Sequence, residues 1–217
     1  MDELEITQRD PMKAGDAAGP GHATAFYFDL GSVYAYLAAE RVSRLFADAG
    51  LGQPEWRPIL LGGLFQRFGR ESWMLGPGRA EGMRECERRA AAYGLQPIRW
   101  PDPCPGNTLY AMRVATYAKG IGRAVSVTLA AFRQAFAGGR DLTAPDNVAI
   151  AAAACELHPN AIAKGATSAA VKQRLRSETD RAADLGVRGV PSVVVGGEVF
   201  WGDDRLELAV AAAVEAD

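Results

Sequence analysis

The first apolar run of the chain, Ala25-Phe-Tyr-Phe-Asp-Leu30, is short and aromatic and suits a buried strand. Gly31-Ser32 breaks it. From Val33 to Ala49 the apolar residues Tyr36, Leu37, Val42, Leu45 and Phe46 recur at helical spacing, and Gly50 stands where a helix stops. Pro54-Glu-Trp-Arg-Pro-Ile-Leu-Leu61 reads as a second strand. A helix between two strands makes a crossover, and a crossover of that length joins parallel strands.

Between Gly62 and Leu185 the pattern changes. Helical periodicity runs over 79–93, 107–119, 122–137, 145–157 and 168–185, with Gly- or Pro-rich breaks between and no convincing strand. Then Val190-Pro-Ser-Val-Val-Val195 and Glu198-Val-Phe-Trp201 flank Gly196-Gly197, a strong hairpin signal. Asp203–Val214 reads as a closing helix with an acid at its start. The order β-α-β, helical block, β-β-α predicts an α/β fold: a thioredoxin-like domain (24–62 and 186–217) with an inserted all-helical domain (63–185). A doubly wound sheet would need strands alternating with helices through the middle, and those are missing. Residues 1–23, acidic and turn-rich, read as a mobile tail.

Composition narrows the function. The 217 residues carry a formal charge of −2 and are 48% apolar, which excludes a disordered chain and a global basic field, so nucleic acid is not an expected partner. No apolar stretch reaches the ~18 residues that a membrane span needs. The start lacks the basic flank and apolar run of a secretory signal, so the expected location is cytoplasmic. Cys86, Cys104 and Cys155 are odd in number and fit neither a disulfide framework nor a common zinc pattern; no metal is expected.

Three segments could carry chemistry. Ser32 follows the first strand at the mouth of the first helix, where unpaired N–H groups stabilise a thiolate or other anion. Its plainer reading is a helix cap. A serine-hydrolase triad is poorly supported: no G-x-S-x-G elbow surrounds Ser32, His22 lies in the tail, and His158 reads as a loop residue. In Gly189-Val190-Pro191-Ser192 the proline is either an ordinary strand starter or, in a thioredoxin-like fold, a cis proline that leaves the preceding backbone free to pair with an extended thiol peptide. In Trp201-Gly-Asp-Asp-Arg205, adjacent carboxylates begin the last helix, either as a cap with favourable dipole charge or as a site.

Five segments in register carry a family resemblance: Phe26-Tyr-Phe-Asp-Leu-Gly-Ser-Val-Tyr-Ala-Tyr-Leu-Ala38, Arg57-Pro-Ile-Leu-Leu-Gly-Gly-Leu-Phe65, Asn107-Thr-Leu-Tyr-Ala-Met-Arg113, Gly189-Val-Pro-Ser192 and Phe200-Trp-Gly-Asp-Asp-Arg-Leu206. Together they resemble the DsbA-like family, and within it the branch of 2-hydroxychromene-2-carboxylate isomerases and kappa-class glutathione transferases. The resemblance implies glutathione as cofactor and a small aromatic or enone-type substrate. It further implies that Ser32 holds the glutathione sulfur, that Val190 beside Pro191 pairs with the cysteinyl unit, and that Asp204 binds the γ-glutamyl ammonium. Tyr34 and Trp201 are candidate aromatic walls, and a homodimer is implied by resemblance alone. This chain departs from the family at Val33, where Pro usually follows the serine, at Asp203, where the family has Ser or Asn, and at Arg70, where it has Asn. The family lysine is also absent, with Gly78 and Arg79 in its neighbourhood, so Arg70 or Arg79 becomes the candidate for the glycyl carboxylate.

The redox branch is excluded by the residues themselves. Dithiol exchange needs an attacking and a resolving thiol at C-x-x-C spacing, and the matching positions hold Ser32 and Ala35. The reading that follows is a glutathione-dependent isomerase; the alternatives are a kappa-class-like transferase and a thiol- or partner-binding protein without catalysis. Cys104, in a Pro-flanked loop, is either a cleft residue or a bystander, and Cys86 and Cys155 read as core residues of alanine-rich helices.

Overall fold

The aromatic run near the start of the chain becomes the inner strand of the sheet. The computed structural model describes residues 24–217, so the segment read as a tail lies outside the described residues. β1 (Ala25–Phe28) pairs in parallel with β2 (Glu55–Pro58) and antiparallel with β3 (Ser192–Val195), and β4 (Glu198–Trp201) closes the order β2-β1-β3-β4. All four residues of β1 and of β3 are buried, as strands covered on both faces must be. Gly196 and Gly197 turn the hairpin with φ of 57° and 95°, the positive values that a tight two-residue turn requires and that glycine adopts without a Cβ clash.

α1 (Val33–Asp48) makes the crossover between the parallel strands. α9 (Leu206–Ala216), entered through a 3₁₀ turn at Asp203–Arg205, packs on α1 and β3. Between β2 and β3 lie α2 (Leu61–Phe68), a 3₁₀ turn at Trp73–Leu75, α3 (Arg79–Ala92), α4 (Leu109–Gly120), α5 (Ala124–Phe132) running into a π turn at Arg133–Ala137, α6 (Pro145–Ala153), α7 (Pro159–Thr167) and α8 (Ala169–Asp184). The fold is thus thioredoxin-like with a helical insert, and each of the five periodic stretches in the middle of the sequence forms a helix.

Two regions differ from the sequence expectation. The second strand ends at Pro58 rather than Leu61, and Leu61 opens α2. Nothing local announces that helix, because the residue at its cap, Leu60, has no side-chain acceptor. Its first N–H groups are satisfied from afar: Leu60 donates to Thr179 Oγ1 at 2.9 Å and Leu61 to Asp29 Oδ2 at 2.8 Å. The stretch expected at 145–157 stops at Ala153, so Cys155 sits in a turn instead of a helix, and His158 is not a plain loop residue. Its Nδ1 caps α7 by accepting from Asn160 N at 3.2 Å, with Pro159 at the first helical position.

One aromatic cluster crosses from sheet to insert. Phe28 meets Trp56 and Phe132 edge-on, with ring centroids 5.8 and 6.1 Å away, and Tyr36 of α1 stacks on Phe136 at 5.6 Å. Such rings contribute both buried area and edge-to-face attraction, so the insert shares its core with the sheet. Within the insert, α4 and α7 approach at Gly165, where a Cβ would lie 2.3 Å from the Tyr117 ring. Gly165→Ala is expected to destabilise the protein by about 1–3 kcal/mol through overpacking, read as a lower urea midpoint with an unchanged slope.

Candidate functional site

The C-terminal end of β1 opens into a cleft of about 410 Å³ whose walls include the Gly31–Tyr34 turn, the start of α2, the Trp73 turn, Arg89 of α3 and the segments around Pro191 and Asp203. Ser32 sits at its base. It is extended (φ −102°, ψ 114°), 7% exposed, and its Oγ accepts from Ala35 N at 3.2 Å, so the cap reading is correct. The same hydroxyl donates toward Val190 O at 3.4 Å. That distance is long for an O–H···O bond, whose usual range ends near ~3.0 Å, so the hydroxyl hydrogen is loosely held. The Val190–Pro191 bond is cis. Ser32 and Val190, 158 residues apart in sequence, therefore face each other across one groove.

Asp29 had no role in the sequence reading, although it stands three residues before Ser32. It is 4% exposed and its carboxylate accepts from Gly31 N at 2.8 Å, Thr108 Oγ1 at 3.0 Å and Leu61 N at 2.8 Å. Burial raises its pKa, and those three donors only partly offset the rise.

The adjacent acids part company. Asp203 is 1% exposed, and both of its oxygens are engaged: Arg89 donates to one and the Tyr93 hydroxyl to the other, each at 2.9 Å. Arg41 of α1 donates to its backbone carbonyl at 3.0 Å, lies over the Tyr93 ring and pairs with Glu207. Asp203 therefore lines the cleft as part of a buried network, not as a carboxylate open to a ligand. Asp204, by contrast, is exposed and makes a looser ion pair with Arg89 at 3.7 Å.

The two arginines singled out from the sequence also separate. Arg70 lines the cleft, stacks on the Trp201 indole at 4.7 Å, donates to Arg188 O at 3.0 Å, and has no carboxylate partner among the described residues. Arg79 is not in the cleft wall; it donates to Cys104 O at 2.8 Å. Tyr34 and Trp201 both line the cleft, joined by Trp73, which lies 5.9 Å from Tyr34. Trp73 and Arg89 escaped the sequence reading because neither belongs to a recognised motif. Burial, and then the neighbouring Cys86, raise the Tyr34 pKa, so its hydroxyl stays protonated.

Burial holds the thiols of Cys86 and Cys104 in the neutral form. Cys86 is fully buried, and burial pushes its thiol up to about 11. Cys104 is half-buried in a smaller hollow beside the main cleft, its Sγ 3.7 Å from Met74 Sδ, and burial raises its pKa as well. A neutral thiol is a poor nucleophile. Among the described residues no cluster of three or more His, Cys, Asp or Glu is placed to hold a metal, and no helix is long and apolar enough to cross a membrane.

The site thus sets a hydroxyl at the N-terminus of α1 against the cis-proline segment that leads into β3, without a redox cysteine pair. The chain belongs to the DSBA-like thioredoxin domain family, whose pattern matches residues 24–213. It is 28% identical over 188 residues to a 2-hydroxychromene-2-carboxylate isomerase of Sphingobium xenophagum, covering 84% of this chain and 93% of that one. Among solved structures it resembles 2-hydroxychromene-2-carboxylate isomerase, with a TM-score of 0.76, 25% identity, and coverage of 87% and 93%. A DsbA oxidoreductase homologue from Streptomyces coelicolor shares the fold, with a TM-score of 0.70, 22% identity, and coverage of 89% and 88%.

The donor set suits glutathione. The cleft offers an exposed carboxylate (Asp204) for an ammonium, a guanidinium without an acid partner (Arg70) for a carboxylate, and a hydroxyl on a helix N-terminus (Ser32) for a sulfur anion. Glutathione carries an ammonium, two carboxylates and a thiol, and these residues match the ammonium, one carboxylate and the thiol.

Proposed function

We propose that this protein is a glutathione-dependent isomerase of a small aromatic or enone-type substrate, akin to 2-hydroxychromene-2-carboxylate isomerase. The observation that carries the reading is Ser32 Oγ, placed at the start of α1 and across from Val190. Bound there, glutathione supplies a sulfur nucleophile that adds reversibly to a conjugated carbon. Ser32 donates its hydroxyl hydrogen to the sulfur, and the α1 N-terminus adds partial positive charge, so the anionic form is held without a charged base. Val190 presents its backbone to the cysteinyl unit, Asp204 takes the ammonium, and Arg70 takes the glycyl carboxylate as a planar, two-oxygen match. Tyr34, Trp73 and Trp201 form aromatic surfaces for a flat substrate and keep water from its reacting face.

Calorimetric titration with glutathione tests the site. Saturable binding is expected, and Asp204→Asn is expected to weaken it about tenfold or more, the loss of one charge-assisted hydrogen bond. A panel of conjugated ketones then reads the chemistry: thiol recovered after turnover supports isomerisation, whereas thiol lost in proportion to product assigns a transferase. Absence of binding removes both.

A further inference from the structure

Of the two buried carboxylates among the described residues, Asp203 is paired with Arg89, while Asp29 has no arginine or lysine within ion-pair distance. A carboxylate held this deep without a cation is costly unless its lone pairs are fully used. Those of Asp29 are used by three segments that are distant in sequence. Oδ1 accepts from Gly31 N in the β1–α1 turn and from Thr108 Oγ1 at the start of α4, and Oδ2 accepts from Leu61 N at the start of α2. Its backbone carbonyl also accepts from Ser32 N at 3.0 Å. Gly31 and Leu61 both line the cleft, and a Cβ at position 31 would lie 3.1 Å from Thr108 Oγ1, so the turn and the insert are in near contact.

We infer that Asp29 is the positioning residue of the sulfur site: one buried carboxylate sets the Gly31–Ser32 turn, starts α2 and ties the helical insert to the position of Ser32 Oγ. The functional part of this inference rests on the reading of Ser32 as the sulfur-holding group. The sign of the effect separates positioning from charge. Asp29 is a negative group close to where a thiolate would sit, so if it acted by charge alone its neutralisation would favour the thiolate. If it acts by holding backbone, neutralisation disfavours the thiolate. An asparagine has one acceptor oxygen and presents an N–H₂ where a second acceptor is needed, so at least one of the three segments is released.

The test uses the full chain as wild type, Asp29→Asn, Thr108→Val and Thr108→Ser. Amide hydrogen exchange is followed residue by residue without ligand, and glutathione affinity and the ultraviolet absorbance of bound thiolate are then measured. Asp29→Asn is expected to speed exchange at Gly31, Ser32 and Leu61 about tenfold or more, the loss of a hydrogen bond to a charged group. Exchange in the β3–β4 hairpin and α9 is expected to stay unchanged. Glutathione affinity and the bound-thiolate signal are both expected to fall. Thr108→Val should show the same pattern more weakly, and Thr108→Ser, which keeps the hydroxyl, should restore it. If Asp29→Asn fails to fold, the Thr108 pair decides alone: equal behaviour of Val and Ser overturns the inference. So does unchanged exchange at the three amides, uniform acceleration across the whole chain, or a rise in bound thiolate. If wild-type protein binds no glutathione, the proposed function fails, and the exchange pattern still decides whether Asp29 holds the turn.

Discussion

Ser32→Ala is expected to lower turnover at saturating glutathione by about 10²–10³-fold, the range for removing one hydrogen-bond donor aimed at a developing or held anion. The expectation follows from the lack of any other group to do the work. No histidine lines the cleft, and Arg89 is committed to Asp203 and Glu85. The helix N-terminus remains after the substitution, so some thiolate stabilisation survives and activity does not vanish. Ser32 is also the cap of α1, and its loss costs about 0.5–2 kcal/mol of stability, which could be mistaken for a catalytic effect. Ser32→Gly separates the two, because glycine replaces a capping serine at a cost of only a few tenths of a kcal/mol. Both variants should lose turnover alike while only alanine lowers the melting temperature appreciably. Unchanged turnover in either would remove Ser32 from the mechanism.

The largest effect on stability is expected from Asp203→Ala. Removing one member of a buried ion pair costs about 3–5 kcal/mol when the remaining charge is fully buried. The Arg89 side chain is 27% exposed and keeps Glu85, so about 2–4 kcal/mol is the expectation here. The Tyr93 hydroxyl loses its acceptor in the same step. Urea unfolding of Asp203→Ala, Arg89→Ala and the double variant should give a coupling energy of about 1 kcal/mol or more. Additive effects would show that the pair does not hold α3 to the 3₁₀ turn. The measurement also bears on the site, since Arg89 offsets the charge of Asp203 beside the more exposed Asp204.

Local patterns carried most of the architecture. Alternation and helical periodicity depend on neighbours in sequence, so β1, α1, the Gly196-Gly197 hairpin and the five long middle helices were legible. α2 was not, because the groups that start it, Asp29 and Thr179, are 32 and 119 residues away from the N–H groups they accept or receive. His158 was misread for a related reason: its capping depends on imidazole orientation, which periodicity does not encode. In the site, Ser32, Val190, Pro191, Asp204, Arg70, Tyr34 and Trp201 were found through motifs and do line one cleft. Arg79 was placed in the site by nearness in sequence to an absent lysine, and its side chain instead serves the Cys104 loop.

By itself the sequence determined the order of β-α-β, helical block and β-β-α, the absence of a C-x-x-C pair and the presence of a serine at the mouth of the first helix, because each depends only on residue type and spacing. Tertiary structure decided which charges are available. Asp203 and Asp204 are neighbours with the same side chain, yet one is consumed by Arg89 and Tyr93 and the other stands exposed at the cleft. Asp29, silent in sequence, became the junction of three segments because burial leaves a carboxylate no partners but those the fold brings to it.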